Sequence, residues 1–215
     1  MKTANRPHSN VRALTQLVLL WALALAAASA WAAGIHEEGD MLEDRACIGT
    51  MAGPPFADGA TDGWYRLTPG ERTIGVHAIK AGTVREEDPE GTMYVRVPGA
   101  KLKEGARRKY RFVAEVMRPK VGKEYQLTLG KARFSFIVES GEAGTQYAIG
   151  YGGETHTYLL GLPAAATRVD AIADLDGDGI PDFLVEVGDE TYLLLSTQAH
   201  AGANRPSAQL WNCGC

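Results

Sequence analysis

From Trp64 onward the chain is written in short runs that alternate apolar and polar residues at period two, with Gly- or Pro-containing turns between many of them. Successive side chains of a strand point to opposite faces, so this alternation is the mark of half-buried strands. Ile74, Val76 and Ala78 share one face of "TIGVHAIK". Met93, Val95 and Val97 do so in "MYVRVPG", and Tyr110, Phe112, Ala114 and Val116 in "YRFVAEV". "YQLTLGKARFSFIV" doubles back at Gly130-Lys131, and "TQYAIGYGGETHTYLL" at Gly152-Gly153, a dipeptide suited to the positive φ of a tight hairpin. "RVDAIADL" and "DFLVEV" make a third hairpin, and "TYLLLST" follows beyond Gly188-Asp189-Glu190. A helix would need an apolar stripe over about ten residues or more, and none is written here. "KLKEGARRK" has room for one helical turn, weakened by Gly105. The chain carries no fixed repeat that would support a solenoid or full propeller. The pattern predicts an all-β fold, an antiparallel sandwich or barrel-like domain.

The third hairpin carries a concentrated run of carboxylates. "DLDGDGIPD", from Asp174 to Asp182, holds four aspartates. Like charges packed so closely repel unless a cation compensates them. With Asp174 as position 1, Asp176 and Asp178 stand at 3 and 5, Gly179 at 6, the Ile180 carbonyl at 7 and Asp182 at 9. That is the front half of a calcium loop, in which a hard cation collects oxygen donors and a glycine permits the sharp turn. Several convergent protein oxygens favour calcium over magnesium, which keeps its waters. An EF-hand places a bidentate Glu at position 12, but Val185 stands there, and Glu186 would point to the opposite strand face. The flanks also read as strands rather than helices. The expectation is an EF-hand-like ligand set on a β-hairpin, holding calcium as a structural ion. A bare acidic turn is the simpler alternative, since Asp and Gly both favour turns.

"ADLDGDGIPDFLVEV" resembles the Asp-rich loop of FG-GAP and integrin-α-like repeats, in which a β-hairpin loop of DxDGDGxxD pattern binds calcium. Those proteins repeat the loop around a propeller, whereas this chain has one copy. The resemblance implies Asp174, Asp176, Asp178 and Asp182 as side-chain ligands and Ile180 as a carbonyl ligand. The stretch "DLDGDGIPDFLVEVGDETYLLLSTQA" is also similar to a group of small exported bacterial proteins. That likeness implies a compartment and an architecture, not an activity.

The N-terminus points to the same compartment. Lys2, Arg6 and Arg12 precede an uncharged apolar run from Leu14 to Ala28, and small residues follow at Ser29, Ala30 and Ala32. This is the order of a secretory signal, with cleavage after Ala30 or Ala32. The run of roughly 15 residues is short of the about 20 that a spanning helix needs, and no later segment is apolar enough to span. No cysteine marks a lipoprotein anchor. Residues 1–32 are read as a signal peptide, 33–62 (running into "GPPFADGATDG" at their end) as an irregular arm, and 63–215 as the β-rich domain. The protein is expected to be periplasmic or secreted, with no stable membrane span after cleavage.

Residues 1–32 hold three of the 22 Lys/Arg and none of the 26 Asp/Glu, so the remainder carries a net charge of −7. That argues against a nucleic-acid partner, which needs clustered cations on phosphates. The only compact basic run, Arg107-Arg108-Lys109, reads as a solvated turn or strand edge. Of the three cysteines, Cys47 lies near the start and Cys213 and Cys215 at the end. In an oxidising compartment, a bridge from Cys47 to Cys215 or Cys213 would close a loop worth about 4–5 kcal/mol in chain entropy. A bridge between Cys213 and Cys215, or free thiols, are the alternatives.

No catalytic residues are visible. His36, His77, His156 and His200 fall in no dense metal motif, and His77 and His156 read as ordinary exposed or half-buried histidines. Ser135, Ser140, Ser196 and Ser207 lack a nucleophile signature. Trp64, Tyr65, Tyr147, Tyr151 and Tyr158 suit core and cross-strand packing, or a carbohydrate platform. The expected function is that of an exported calcium-binding module, non-enzymatic, directed at a protein or glycan partner. The alternative is a secreted or periplasmic hydrolase with a calcium-stabilised fold.

Overall fold

The computed structural model describes residues 39–43, 63–80, 89 and 91–210, with only the backbone described at 39–43 and 210. The signal segment 1–32 and all three cysteines lie outside the described residues. The strands are β1 (Gly39–Glu43), β2 (Trp64–Pro69), β3 (Thr73–Ala78), β4 (Met93–Arg96) and β5 (Gly105–Arg108), followed by one helical turn, α1 (Ala114–Met117). Then come β6 (Glu124–Leu129), β7 (Ala132–Gly141), β8 (Gly144–Tyr151), β9 (Glu154–Leu160), β10 (Thr167–Ala173), β11 (Asp182–Val187) and β12 (Glu190–Leu194). A 3-10 turn (Ser196–Gln198), β13 (Gly202–Asn204) and β14 (Ala208–Leu210) complete the chain.

The fold is an all-β sandwich. One sheet has nine strands in the order β10-β11-β12-β14-β1-β4-β2-β3-β5, and the other has five in the order β13-β9-β8-β7-β6. Pairing is antiparallel except for β1 with β14 and β9 with β13. The nine-stranded sheet curls until its edge strands approach, but it does not close into a barrel. Lys109 bridges Ala173, and the amides of Lys103 and Tyr110 donate to the carbonyls of Leu175 and Ile172, with no continuous ladder between them.

The curl gives β11 two buried faces. Phe183, Val185 and Val187 pack with Phe136, Tyr147 and Tyr158 of the five-stranded sheet. Leu184 packs on the other side with Leu67, Val76 and Val95, inside the curl. A strand covered on both faces reads as a continuous apolar run, which is why Phe183-Leu184-Val185 shows no alternation. In β10 the register shifts between Val169 and Ala171, so Asp170 is an extra, bulged residue. Val169 and Ile172 consequently face one core, and Ala171 and Ala173 the other.

The hairpins turn where the sequence placed them, at Gly130-Lys131 and Gly152-Gly153. Both Gly152 and Gly153 have positive φ, as a tight mirror-image turn requires. Three segments differ from expectation. "YRFVAEV" is not a strand: after Tyr110 the chain leaves the sheet and makes the single turn α1. Its alternation serves core contact alone, since Tyr110, Phe112 and Val116 still pack inward while Val113 is exposed. "KLKEGARRK" forms β5 rather than a helical turn, placing Arg107-Arg108-Lys109 at the sheet edge. Within the stretch read as an irregular arm, Gly39–Glu43 is a strand between β14 and β4.

Candidate metal centre

The loop between β10 and β11 gathers three carboxylates. Asp174, Asp176 and Asp182 each offer an oxygen, all within 4.8 Å of one another. Asp182 is the first residue of β11 and fully buried, whereas Asp174 and Asp176 are half-buried. This group can hold a metal ion. The fourth predicted carboxylate, Asp178, is exposed and is not among the three that converge. The Ile180 amide donates to Asp178 Oδ1 at 2.6 Å.

Backbone amides shape the loop. Gly177 N–H donates to Asp174 Oδ1 at 2.7 Å, and Asp178 N–H to Asp176 Oδ1 at 3.2 Å. Such side-chain bonds to amides two or three residues on are how aspartates hold a turn. The curl also needs left-handed backbone at Gly177 (φ 86°) and Gly179 (φ 87°). Only Gly179 was singled out by the calcium-loop pattern. At Gly177 a Cβ would in addition lie 2.2 Å from Lys103 Cδ.

A second layer of donors comes from distant segments. Ser196 donates to Asp182 Oδ1 from its amide (2.8 Å) and its hydroxyl (2.9 Å), and Leu175 N–H donates to Oδ2 (2.6 Å). The Ser196 hydroxyl also lies 2.9 Å from Asp178 Oδ2, and Thr197 Oγ1 donates to Asp176 Oδ2 at 2.6 Å. Arg107, on edge strand β5, donates through Nε to the Asp174 carbonyl (2.7 Å) and through its guanidinium to Oδ2 (3.2 Å). A carboxylate has about four lone-pair sites. Each of the three therefore keeps accepting capacity after these bonds. Partners that orient ligands in this way tune metal sites.

The electrostatics favour a positive occupant. Burial pushes the Asp182 carboxyl well above the ordinary aspartate range; the Asp176 charge adds to this, and the bonds from Ser196 and Leu175 oppose it. Burial also raises Asp176, with the charges of Asp178 and Asp174 adding and the Thr197 and Asp178 donors opposing. Tyr151, whose hydroxyl donates to the Ser196 carbonyl at 3.4 Å, is pushed up to about 12 by burial and by the loop's carboxylates. A cation at the centre would relieve the shared strain of buried like charges.

Sequence reasoning missed Ser196, Thr197 and Arg107 as members of the site. A signal for the first two did exist. A two-residue turn at Gly188-Asp189 pairs Val187 with Glu190 and carries Phe183 opposite Leu194. The same register puts Asp182 beside the start of the segment Leu195–Thr197. Arg107 had no such signal, because β5 meets β10 only through the curl. His156, expected to be exposed or half-buried, is buried: its ring stacks on Tyr151 at 4.2 Å and its Nδ1 lies 2.9 Å from the His200 carbonyl.

No protein-family model matches the chain, and comparison with curated proteins and with solved structures finds no significant match. No helix among the described residues is long and apolar enough to cross a membrane.

Proposed function

We propose that this is an exported, non-enzymatic binding module of FG-GAP-like loop type, in which calcium held by the Asp174–Asp182 loop locks one end of the sandwich. The convergence of Asp174, Asp176 and Asp182 within 4.8 Å carries this reading. Three carboxylates and no nitrogen or sulfur donor suit a hard cation. The fully buried Asp182 and the amide-fixed loop suit a rigid, closed site rather than an open catalytic one. Export is supported by the signal-like order of residues 1–32.

The test is titration of the purified protein with calcium and with magnesium by calorimetry, repeated on Asp176→Ala. Calcium is expected to give saturable heat and to bind more tightly than magnesium, and Asp176→Ala to abolish that heat. At calcium a hundredfold above its Kd the native state should gain about 2.7 kcal/mol. Absence of both the heat and the stabilisation sinks the metal assignment, and equal affinity for magnesium sinks the choice of calcium. N-terminal sequencing of protein from the cell envelope tests export: a mature start at residue 31 or 33 is expected, and an intact Met1 overturns it.

A further inference from the structure

The curl of the nine-stranded sheet encloses a cavity of about 290 Å³, walled on one side by the β10–β11 hairpin that carries the aspartate loop, with none of the loop's carboxylates in its lining. Strands β2, β3 and β4 line one side, and β10, β11 and β12 the other. The walls are apolar at Leu67, Ile74, Met93, Ala171 and Leu184, four of which are buried core residues. The charged residues stand around them. Arg168 donates to Asp170 at 2.5 Å and to Glu186 at 2.7 Å, so both acids are already engaged. The bulge at Asp170 is what brings that side chain to the cavity beside its inward neighbour Ala171.

The remaining cation is Lys109. It lines the cavity at the seam where its backbone bridges Ala173, it is half-buried, and its ammonium has no carboxylate partner among the described residues. With no carboxylate of its own, that ammonium can take an incoming anion in a charge-assisted bond. Small-molecule sites join an apolar lining to a few placed polar groups, often in the mouth of a curled sheet. The volume is at the low end of the about 300–1,000 Å³ usual for such pockets, which restricts the occupant to a compact molecule.

We propose that this cavity binds a small monocarboxylic acid with an apolar body, its aliphatic or single-ring part against Leu67, Ile74 and Leu184 and its carboxylate on Lys109. A cationic ligand would meet the Lys109 ammonium and would have to compete with Arg168 for Asp170 and Glu186.

The experiment is a titration of the isotope-labelled protein with sodium octanoate, followed by amide shifts in calcium-containing buffer, with octylamine and octanol as controls. Octanoate is expected to give saturable shifts centred on Lys109, Ala171, Leu184 and Thr191, and octylamine none. Lys109→Met should weaken octanoate at least about tenfold while leaving weak octanol binding unchanged, as loss of one charged contact predicts. A well-dispersed spectrum of the variant away from the cavity shows that it folds. Shifts that do not saturate, that centre elsewhere, that octylamine reproduces, or that survive Lys109→Met undiminished overturn the proposal.

Discussion

Ser196 donates twice to one oxygen of Asp182, from its amide at 2.8 Å and its hydroxyl at 2.9 Å. The pair ties the first residue of β11 to the 3-10 turn that follows β12, and so couples the aspartate loop to the hairpin that supports it. Asp182 is buried, and a buried carboxylate persists only where its lone pairs are met.

Replacing Ser196 by Ala keeps the amide bond but removes the hydroxyl that Asp182 and Asp178 share. The protein in chelator is expected to lose about 1–3 kcal/mol in urea denaturation. Calcium affinity is expected to fall about 10- to 100-fold by calorimetry, the usual cost of losing a group that orients a ligand.

Arg107 partly offsets the loop's charge through Asp174, and both side chains are mostly shielded from solvent. Arg107→Ala is expected to destabilise the chelated protein by about 1–3 kcal/mol, because a hydrogen bond to a charged group is lost. The rise in Tm on adding calcium should be larger than in the parent, because the carboxylates then face the cation without a competing guanidinium.

The two loop glycines should respond unequally to alanine. Gly179→Ala meets no atom within 4 Å and incurs only the left-handed backbone cost of about 1–2 kcal/mol. Gly177→Ala has the same backbone cost, and its Cβ also displaces Lys103. Urea midpoints of the two variants should therefore rank Gly177→Ala as the less stable.

At high pH the tyrosines set the limit. Burial raises the Tyr147 hydroxyl above its ordinary value, the Asp170 charge adds to this, and its bond with the Thr167 hydroxyl opposes it. Burial also raises Tyr158, with the nearby Tyr151 and Asp182 adding. Unfolded phenols ionise near pH 10 while these remain protonated in the fold. The native state then binds more protons than the unfolded one, so stability falls as pH rises above about 10. Denaturation midpoints at pH 8, 10 and 11 should decline, with phenolate absorbance appearing together with unfolding. Tyr147→Phe should flatten the decline.

Phe136 is fully buried, stacks on Tyr125 at 5.1 Å and meets Phe183 edge-on at 5.6 Å. It joins the two sheets, so Phe136→Ala is expected to cost about 3–5 kcal/mol in urea denaturation. A loss below about 1 kcal/mol would mean that this contact between the sheets is not the main one.

Much of this architecture was legible in the chain. Alternation located β3, β4 and part of the β6–β7 hairpin, and Gly152-Gly153 and Gly188-Asp189 located turns, because strand facing and turn chirality are local properties. Alternation misled at Tyr110–Val116, where the inward residues have no neighbouring strand to continue the ladder. The three-residue strands β13 and β14 are too short to carry a period and form only beside β9, β12 and β1.

The aspartate loop divides in the same way. Its spacing and its glycines determined that carboxylates would curl toward a common point on a β-hairpin, since residues within nine positions of one another can meet with little loop entropy to overcome. Which carboxylates converge was decided by tertiary structure. Asp182 is buried by the two cores around β11 and held by Ser196, Asp174 is met by Arg107 from across the curl, and Asp178 is left outside. The cavity at Lys109 is likewise a product of tertiary structure, since it needs β2, β3 and β4 brought opposite β10 and β11. Local pattern encodes facing and turning, whereas burial and long-range partners depend on where the sheet edges come together.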